Sequence, residues 1–148
     1  LYDRTLTETV AGVLGRLGLK RAIVVGSHDG LDEISLAAPT QVSELRNGEV
    51  RTYDITPEDL GLERAPLEAV KGGDPATNAE IIRRVLNGEK SPYRDMVLAS
   101  AGACIYVSDL AGSLKEGVRH AAEIIDSGKA AQKLREWIEV SGEIGHVS

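Results

Sequence analysis

No phenylalanine occurs among the 148 residues, and aromatic residues make up only 3% of the chain. A core built from it is aliphatic, drawn from Val, Ile, Leu and Ala, which suits close packing of helices on a sheet. A single cysteine excludes an internal disulfide framework and fits a reducing compartment, so a cytoplasmic location is expected. Basic residues number 17 against 23 acidic ones, a net charge of −6, which speaks against a broad nucleic-acid footprint. No run of Lys or Arg is present to meet an anionic membrane surface. The longest apolar run, Met96 to Ser108, is too short to span a bilayer. No signal peptide is read at the start. A Walker loop, a dinucleotide fingerprint, a zinc-ligand pattern and a Ser-His-Asp set are all missing.

What remains reads as one α/β domain over residues 1–148. The length suffices for a proper core. Apolar residues at 42% and charged residues at 27% are ordinary for a soluble globular protein. The chain opens at Leu1 rather than at methionine, so it is read as a piece of something longer.

Leu6, Val10, Val13, Leu14 and Leu17 recur at helical spacing, with Thr5 as N-cap, Glu8 completing a capping box and Gly18 closing the helix. Ala22 to Gly26 is a short buried strand. Gln41 to Leu45 and Val50 to Ile55 alternate on either side of Asn47-Gly48, a strong hairpin signal. Both strands keep one apolar face and are placed at a sheet edge, antiparallel to each other. Thr56 to Gly61 is a capped turn with Pro57 at N1, and a helical turn is read at Pro66 to Val70.

The rest is helical. Helices open at Asp74-Pro75, at Ser91-Pro92 and at Ser113, the last with Glu116 as a second capping box. The helix after Ser91 is apolar almost all round and is expected to be the most buried. Its Ala99, Ser100, Ala101, Gly102 and Ala103 let neighbours approach closely. Ala130 to Val140 is a last helix, and Ser141 to Ser148 is expected to fray.

The chemistry concentrates between Ser27 and Ala38. Asp29, Asp32 and Glu33 put three carboxylates within five residues, with no cation among them. They repel one another and need a cation, good solvation or a raised pKa. A hard divalent metal that also carries phosphate answers that need, at a strand end where open α/β sheets place ligands. The other reading is a solvated turn, since Asp-Gly is a common turn signal. His28 beside the acids is either a phosphate or metal contact or an ordinary loop residue. Lys71-Gly72-Gly73-Asp74 is a weak phosphate-loop pattern. Cys104 reads as a small core residue. His120 and His146 have no metal-ligand spacing. Tyr106 and Trp137 read as core or rim residues, and Arg83-Arg84 and Lys133-Arg135 as solvated helix faces.

On these residues the chain resembles the C-terminal part of the anthranilate phosphoribosyltransferase family, in the nucleoside-phosphorylase/phosphoribosyltransferase class. Asp29-Gly30-Leu31-Asp32-Glu33 is the specific signal. Leu14 to Gly18, Ala38-Pro39-Thr40, Pro57 to Leu62, Gly72-Gly73-Asp74, Asn78-Ala79, Tyr106 to Leu110, Glu116-Gly117-Val118 and Ser127 to Ala130 support it. The resemblance implies a partial mixed, mainly parallel sheet with an antiparallel edge hairpin, packed by helices. It implies a glycosyltransferase of tryptophan biosynthesis that joins anthranilate to phosphoribosyl pyrophosphate (PRPP) and releases pyrophosphate. Mg2+ would be the cofactor, with Asp32 and Glu33 as its ligands.

No catalytic or substrate-binding residue is assigned. Gly26-Ser27 stands where relatives usually place His-Gly, and Ser100 where they usually place Asn. The family's phosphate loop, its Lys-His-Gly-Asn-Arg segment and its anthranilate-contacting arginine are missing. A fragment without the N-terminal helical domain and first strands is therefore expected. It would be inactive alone, bind Mg2+ weakly, and expose a sheet edge and helix faces that invite association; the whole protein is a possible homodimer. Two further readings stand beside this one: a non-catalytic relative acting as a binding module, and a nucleoside phosphorylase of the same fold class.

Overall fold

The structure, a computed structural model, describes residues 1–144. A 3-10 turn at Arg4–Leu6 leads into α1 (Thr7–Arg16), followed by strands β1 (Arg21–Ser27), β2 (Thr40–Arg46) and β3 (Glu49–Ile55). Single 3-10 turns at Glu58–Leu60 and Leu67–Val70 connect to α2 (Pro75–Leu86), α3 (Pro92–Val107), α4 (Leu114–Asp126) and α5 (Lys129–Ile144).

The fold is α/β, with helices on both faces of a sheet ordered β1-β2-β3. The expected hairpin forms at Asn47-Gly48. Both residues take positive φ, 51° and 89°, as a two-residue turn of this hand demands. Two expectations are corrected. Both strand pairs are antiparallel, so the sheet among the described residues is not mainly parallel. Each connection folds back onto the neighbouring strand, and every described element after Ile55 is helical, so no strand is left to run parallel. Gln41 to Leu45 also lies in the middle of this sheet rather than at its edge.

Alternation along the strands sorts the two faces. Ala22, Val24, Ser43 and Leu45 are buried towards α1. There Ser43 Oγ donates to Thr7 Oγ1 at 2.9 Å, and Gly15 brings the helix backbone against Leu45. On the other face, Val42 and Ile55 join Ile34, Leu60, Val85, Leu98, Ala99, Val118, Ala121 and Ile125 in one aliphatic core. Towards the start of β1 that face turns polar. Glu44 accepts the Tyr53 hydroxyl at 3.1 Å and the Tyr106 hydroxyl at 2.9 Å, and Arg21 stacks 4.9 Å from the Tyr106 ring. Burial and the adjacent Glu44 charge push the Tyr53 phenol well above its usual range.

The helix ends follow local chemistry. Asp74, Ser91 and Ser113 cap α2, α3 and α4 through the N–H groups of Thr77, Arg94 and Glu116. Gly18 closes α1 with φ +96°, and the Leu19 N–H reaches back to the Leu14 carbonyl. The Thr5–Glu8 capping box does not form. Asp3 caps the preceding 3-10 turn, accepting the Thr5 N–H at 3.0 Å and the Thr5 hydroxyl at 2.6 Å, and α1 follows from Leu6 without a side-chain cap of its own. In the second box, the Glu116 carboxylate accepts the N–H of Gly112.

Helix α3 buries Arg94, Leu98, Ala99 and Gly102. Its other face carries Val97 and Cys104, both exposed. Cys104 is therefore not a core residue. Helix α5 continues to Ile144, so the frayed end expected from Ser141 is corrected as far as the described residues go. Trp137 stands 70% exposed on α5 and belongs to neither core nor rim.

Small residues set the α3–α4 crossing. A Cβ on Gly117 would come 2.2 Å from the Gly102 carbonyl oxygen, and one on Gly102 would come 2.6 Å from the Val118 nitrogen. The same two helices are tied by Arg94, 1% exposed, whose Nη2 donates to Asp126 Oδ2 at 3.0 Å. That hydrogen bond holds the Asp126 carboxyl below its ordinary value of 3.8.

Two predictions follow from this packing. Gly117→Ala is expected to destabilise the protein by about 1–3 kcal/mol, because backbone must move to admit the methyl group. Gly12→Ala, which meets nothing within 4 Å, is expected to stabilise it by roughly 0.5–1 kcal/mol; urea unfolding checks both. The Asp126 contribution is complete above the unfolded carboxyl value and is lost as pH falls through the lower folded one. The stability gap between wild type and Asp126→Asn should thus shrink on acidification from about pH 6 to about pH 2, as read from melting temperatures.

Candidate functional site

Residues 28–39 leave the carboxyl end of β1 and return to the start of β2 without regular structure. Backbone groups in such a loop still need partners. The Ser27 N–H donates to the Leu31 carbonyl at 2.9 Å, and the His28 N–H donates to the Pro39 carbonyl at 3.0 Å, pinching the loop at its base. Ile34 and Leu36 are buried at 3% and 2% exposure, so the apolar run after the acids anchors the loop in the core. From outside, the Ala65 N–H donates to the Leu36 carbonyl, and Arg64, itself paired with Glu58, donates to the Ala37 carbonyl.

The three carboxylates divide into one and two. Asp29 turns into the loop, where its Oδ1 accepts the Leu31 N–H at 3.1 Å and its Oδ2 accepts the Ser35 hydroxyl at 2.7 Å. Burial pushes the Asp29 carboxyl up, but these hydrogen bonds outweigh it and leave the group below its ordinary value. Asp32 and Glu33 are exposed, and among the described residues neither side chain takes part in a hydrogen bond or ion pair. Both line one groove of about 410 Å³, walled by Ile23, Val25, Ser100 and Cys104. Arg21 also reaches this groove, but its guanidinium is engaged by Asp109 and stacked on Tyr106.

The other sequence candidates lie apart from this pair. His28 Nε2 sits 3.0 Å from Asp54 Oδ1, tying the loop to the end of β3. Lys71 to Asp74 forms the lead into α2, where Asp74 is spent as the cap and the Gly73 N–H donates to Asn78 Oδ1. His120 lies on α4 beside Glu116 and Arg119, and His146 falls outside the described residues. Spacing alone did not separate Asp29 from its neighbours, nor did it reveal Ser35 and Thr40. The Ser35 N–H donates to Thr40 Oγ1 at 3.0 Å, and both side chains are buried. The one signal in this group was for Asp29, which stands two residues before the Leu31 N–H that it accepts.

The donor set suits a hard cation. Two adjacent carboxylates offer oxygen ligands, and no group of three or more His, Cys, Asp or Glu among the described residues could close around an ion. Mg2+ commonly binds in this way, through one or two carboxylates with water and substrate phosphate completing the shell. Among the described residues, no helix is long and apolar enough to cross a membrane.

The described residues thus form an α/β domain with an acidic pair, uncommitted among them, beyond the carboxyl end of β1. The chain belongs to the glycosyl transferase family: the model of that family's a/b domain matches residues 1–131. It is 51% identical over 139 residues to the anthranilate phosphoribosyltransferase of Symbiobacterium thermophilum, covering 94% of this chain and 41% of that protein. The chain thus spans about two-fifths of the length of the curated relatives it matches.

Among solved structures, the anthranilate phosphoribosyltransferase of Thermus thermophilus superposes with a TM-score of 0.85 at 42% identity, covering 93% of this chain and 40% of that one. The Saccharomyces cerevisiae enzyme in complex with PRPP and Mg superposes at 0.84 with 28% identity, over the same shares of the two chains. The family likeness read from the Asp29 to Glu33 segment therefore holds.

Proposed function

We propose that the whole protein containing this chain is an anthranilate phosphoribosyltransferase, and that this domain supplies Asp32 and Glu33 as ligands for Mg2+. The observation that carries the reading is this pair of exposed carboxylates, without side-chain partners among the described residues, on a loop that other residues brace. The likeness to relatives of that name, one of them solved with PRPP and Mg, supports it.

In this reading the anthranilate amine bonds to the anomeric carbon of PRPP, whose bond to the diphosphate oxygen breaks through an oxocarbenium-like state. Magnesium, when bound, offsets the charge that gathers on the departing diphosphate. Asp32 and Glu33 fix where that charge is met. Ile23 and Val25 line the same groove and leave the two carboxylates as its anionic groups at that end. No residue of this chain is assigned an acid, base or nucleophile role. The phosphate loop and the anthranilate-contacting arginine belong, on this proposal, to other parts of the whole protein, so this chain alone catalyses nothing. A cytoplasmic place in tryptophan biosynthesis completes the reading, and the lone Cys104 accords with it.

Asp32→Asn combined with Glu33→Gln in the full-length protein should lower turnover at limiting Mg2+ by at least about a hundredfold, the scale of a lost metal-ligand pair. Anthranilate fluorescence lost on adding PRPP reads the rate. The melting temperature should hold, since neither side chain is bonded to the fold. Unchanged turnover removes the site assignment.

A further inference from the structure

Asp32 and Glu33 make no side-chain bond among the described residues, so the backbone from Leu31 to Ile34, where the Leu1 amino group also donates to the Asp32 carbonyl at 3.1 Å, is what carries their carboxylates. That stretch is held at both ends by the third acid. Asp29 grips Leu31 through its N–H at 3.1 Å and Ser35 through its hydroxyl at 2.7 Å, a chord drawn across the two exposed acids. The far anchor is firm. Ser35 is 1% exposed, its Oγ accepts the N–H groups of Ala37 at 2.9 Å and Ala38 at 3.3 Å, and its own N–H donates to the buried Thr40 hydroxyl.

The valence of the Ser35 hydroxyl is fully used. Its one proton goes to Asp29 and its two lone pairs face backbone N–H groups, so only an acceptor fits opposite that proton. An asparagine at position 29 keeps an oxygen for Leu31 but turns an NH2 towards a hydroxyl with no free lone pair. The chord breaks while volume and the Leu31 bond are preserved.

We propose that Asp29 and Ser35 are positioning residues for the metal-binding pair, holding Asp32 and Glu33 at the separation a single divalent cation requires. The inference rests on the site reading above, and its test separates the two. Outer partners that orient metal ligands typically cost roughly 10–100-fold in affinity when removed.

In the full-length protein, Mn2+ is titrated as the probe and the free ion followed by electron paramagnetic resonance, with Asp29→Asn, Ser35→Ala and Asp32→Asn beside wild type. Asp29→Asn and Ser35→Ala should each weaken Mn2+ binding about tenfold or more. The Mg2+ concentration for half-maximal turnover should rise by the same factor, while kcat at saturating Mg2+ stays near the wild-type value. Wild-type Mn2+ affinity in both variants, with binding lost in Asp32→Asn, overturns the positioning role and leaves the site standing. Wild-type affinity in Asp32→Asn overturns the site and the role together. A kcat that saturating Mg2+ does not recover overturns the role in favour of a purely structural one. If Asp29→Asn does not fold, Ser35→Ala, which leaves the Asp29–Leu31 turn in place, decides by the same criteria.

Discussion

The structure depends on how residues 28–39 satisfy their own backbone. This stretch leaves one strand and enters the next with no ladder or helix to take up its N–H and C=O groups, and such groups are costly to bury unpaired. Side-chain oxygens do the work that regular structure does elsewhere. Asp29, Ser35 and Thr40 accept the N–H groups of Leu31, Ser35, Ala37 and Ala38, and the Ser27 hydroxyl closes the base on the Pro39 carbonyl. Because those side chains carry the load, Asp32 and Glu33 are released from any structural duty. An acidic pair that had to hold the loop as well would already have its lone pairs committed to protein donors.

The loop can be braced in this way because the body beneath it is stiff. With no phenylalanine to fill space, the core closes through short aliphatic side chains and through backbone contact at Gly102 and Gly117. Interiors of this kind tolerate little change in volume. Ile34 belongs to that core, so the residue next to Glu33 is fixed by the same packing that sets the α3–α4 crossing. The polar patch of Arg21, Glu44, Tyr53 and Tyr106 lies towards the other end of β1, where the two phenol hydrogen bonds to Glu44 replace apolar filling and Arg21 Nε and Nη2 lie buried without a hydrogen-bond partner among the described residues. One end of the sheet thus gathers opposite charges into a cluster, and the other presents two carboxylates, unpaired among the described residues, to a groove.

Features encoded over a few residues were legible in the sequence. Asn47-Gly48 dictates its turn because almost nothing else adopts two positive φ angles in succession, and Asp74, Ser91 and Ser113 cap helices within three residues of themselves. Features that depend on competition or on distant partners were not. Thr5 lost its cap to Asp3, an equally good acceptor two residues earlier. Cys104 sits among apolar neighbours in sequence, yet it stands exposed on the wall of the groove between β1 and α3. The parallel sheet came from likeness to longer chains, whereas strand pairing is settled by which strands are at hand. At the site, the acids were legible as a group. Their division of labour was not, since composition cannot tell a carboxylate that faces inward to a serine from one that faces water.

Two ligands are few for a metal site, and on the proposed function the small number is useful. A closed cage of carboxylates would hold the cation whether or not substrate were present, and would compete with the diphosphate for its coordination positions. Two carboxylates leave most of the shell to water and to phosphate oxygens, which suits an ion that gives up its water reluctantly. Occupancy then rises with substrate, because the diphosphate supplies ligands that the protein withholds. Once the diphosphate had left, Asp32 and Glu33 would be the protein's only ligands and would hold the ion weakly. Weak binding in the free state is therefore consistent with metal-assisted transfer, provided the two carboxylates stand ready at a fixed spacing. An open pair can be selective and fast only if it is held rigidly, which makes the buried hydroxyl of Ser35 as consequential as the exposed acids it helps to place.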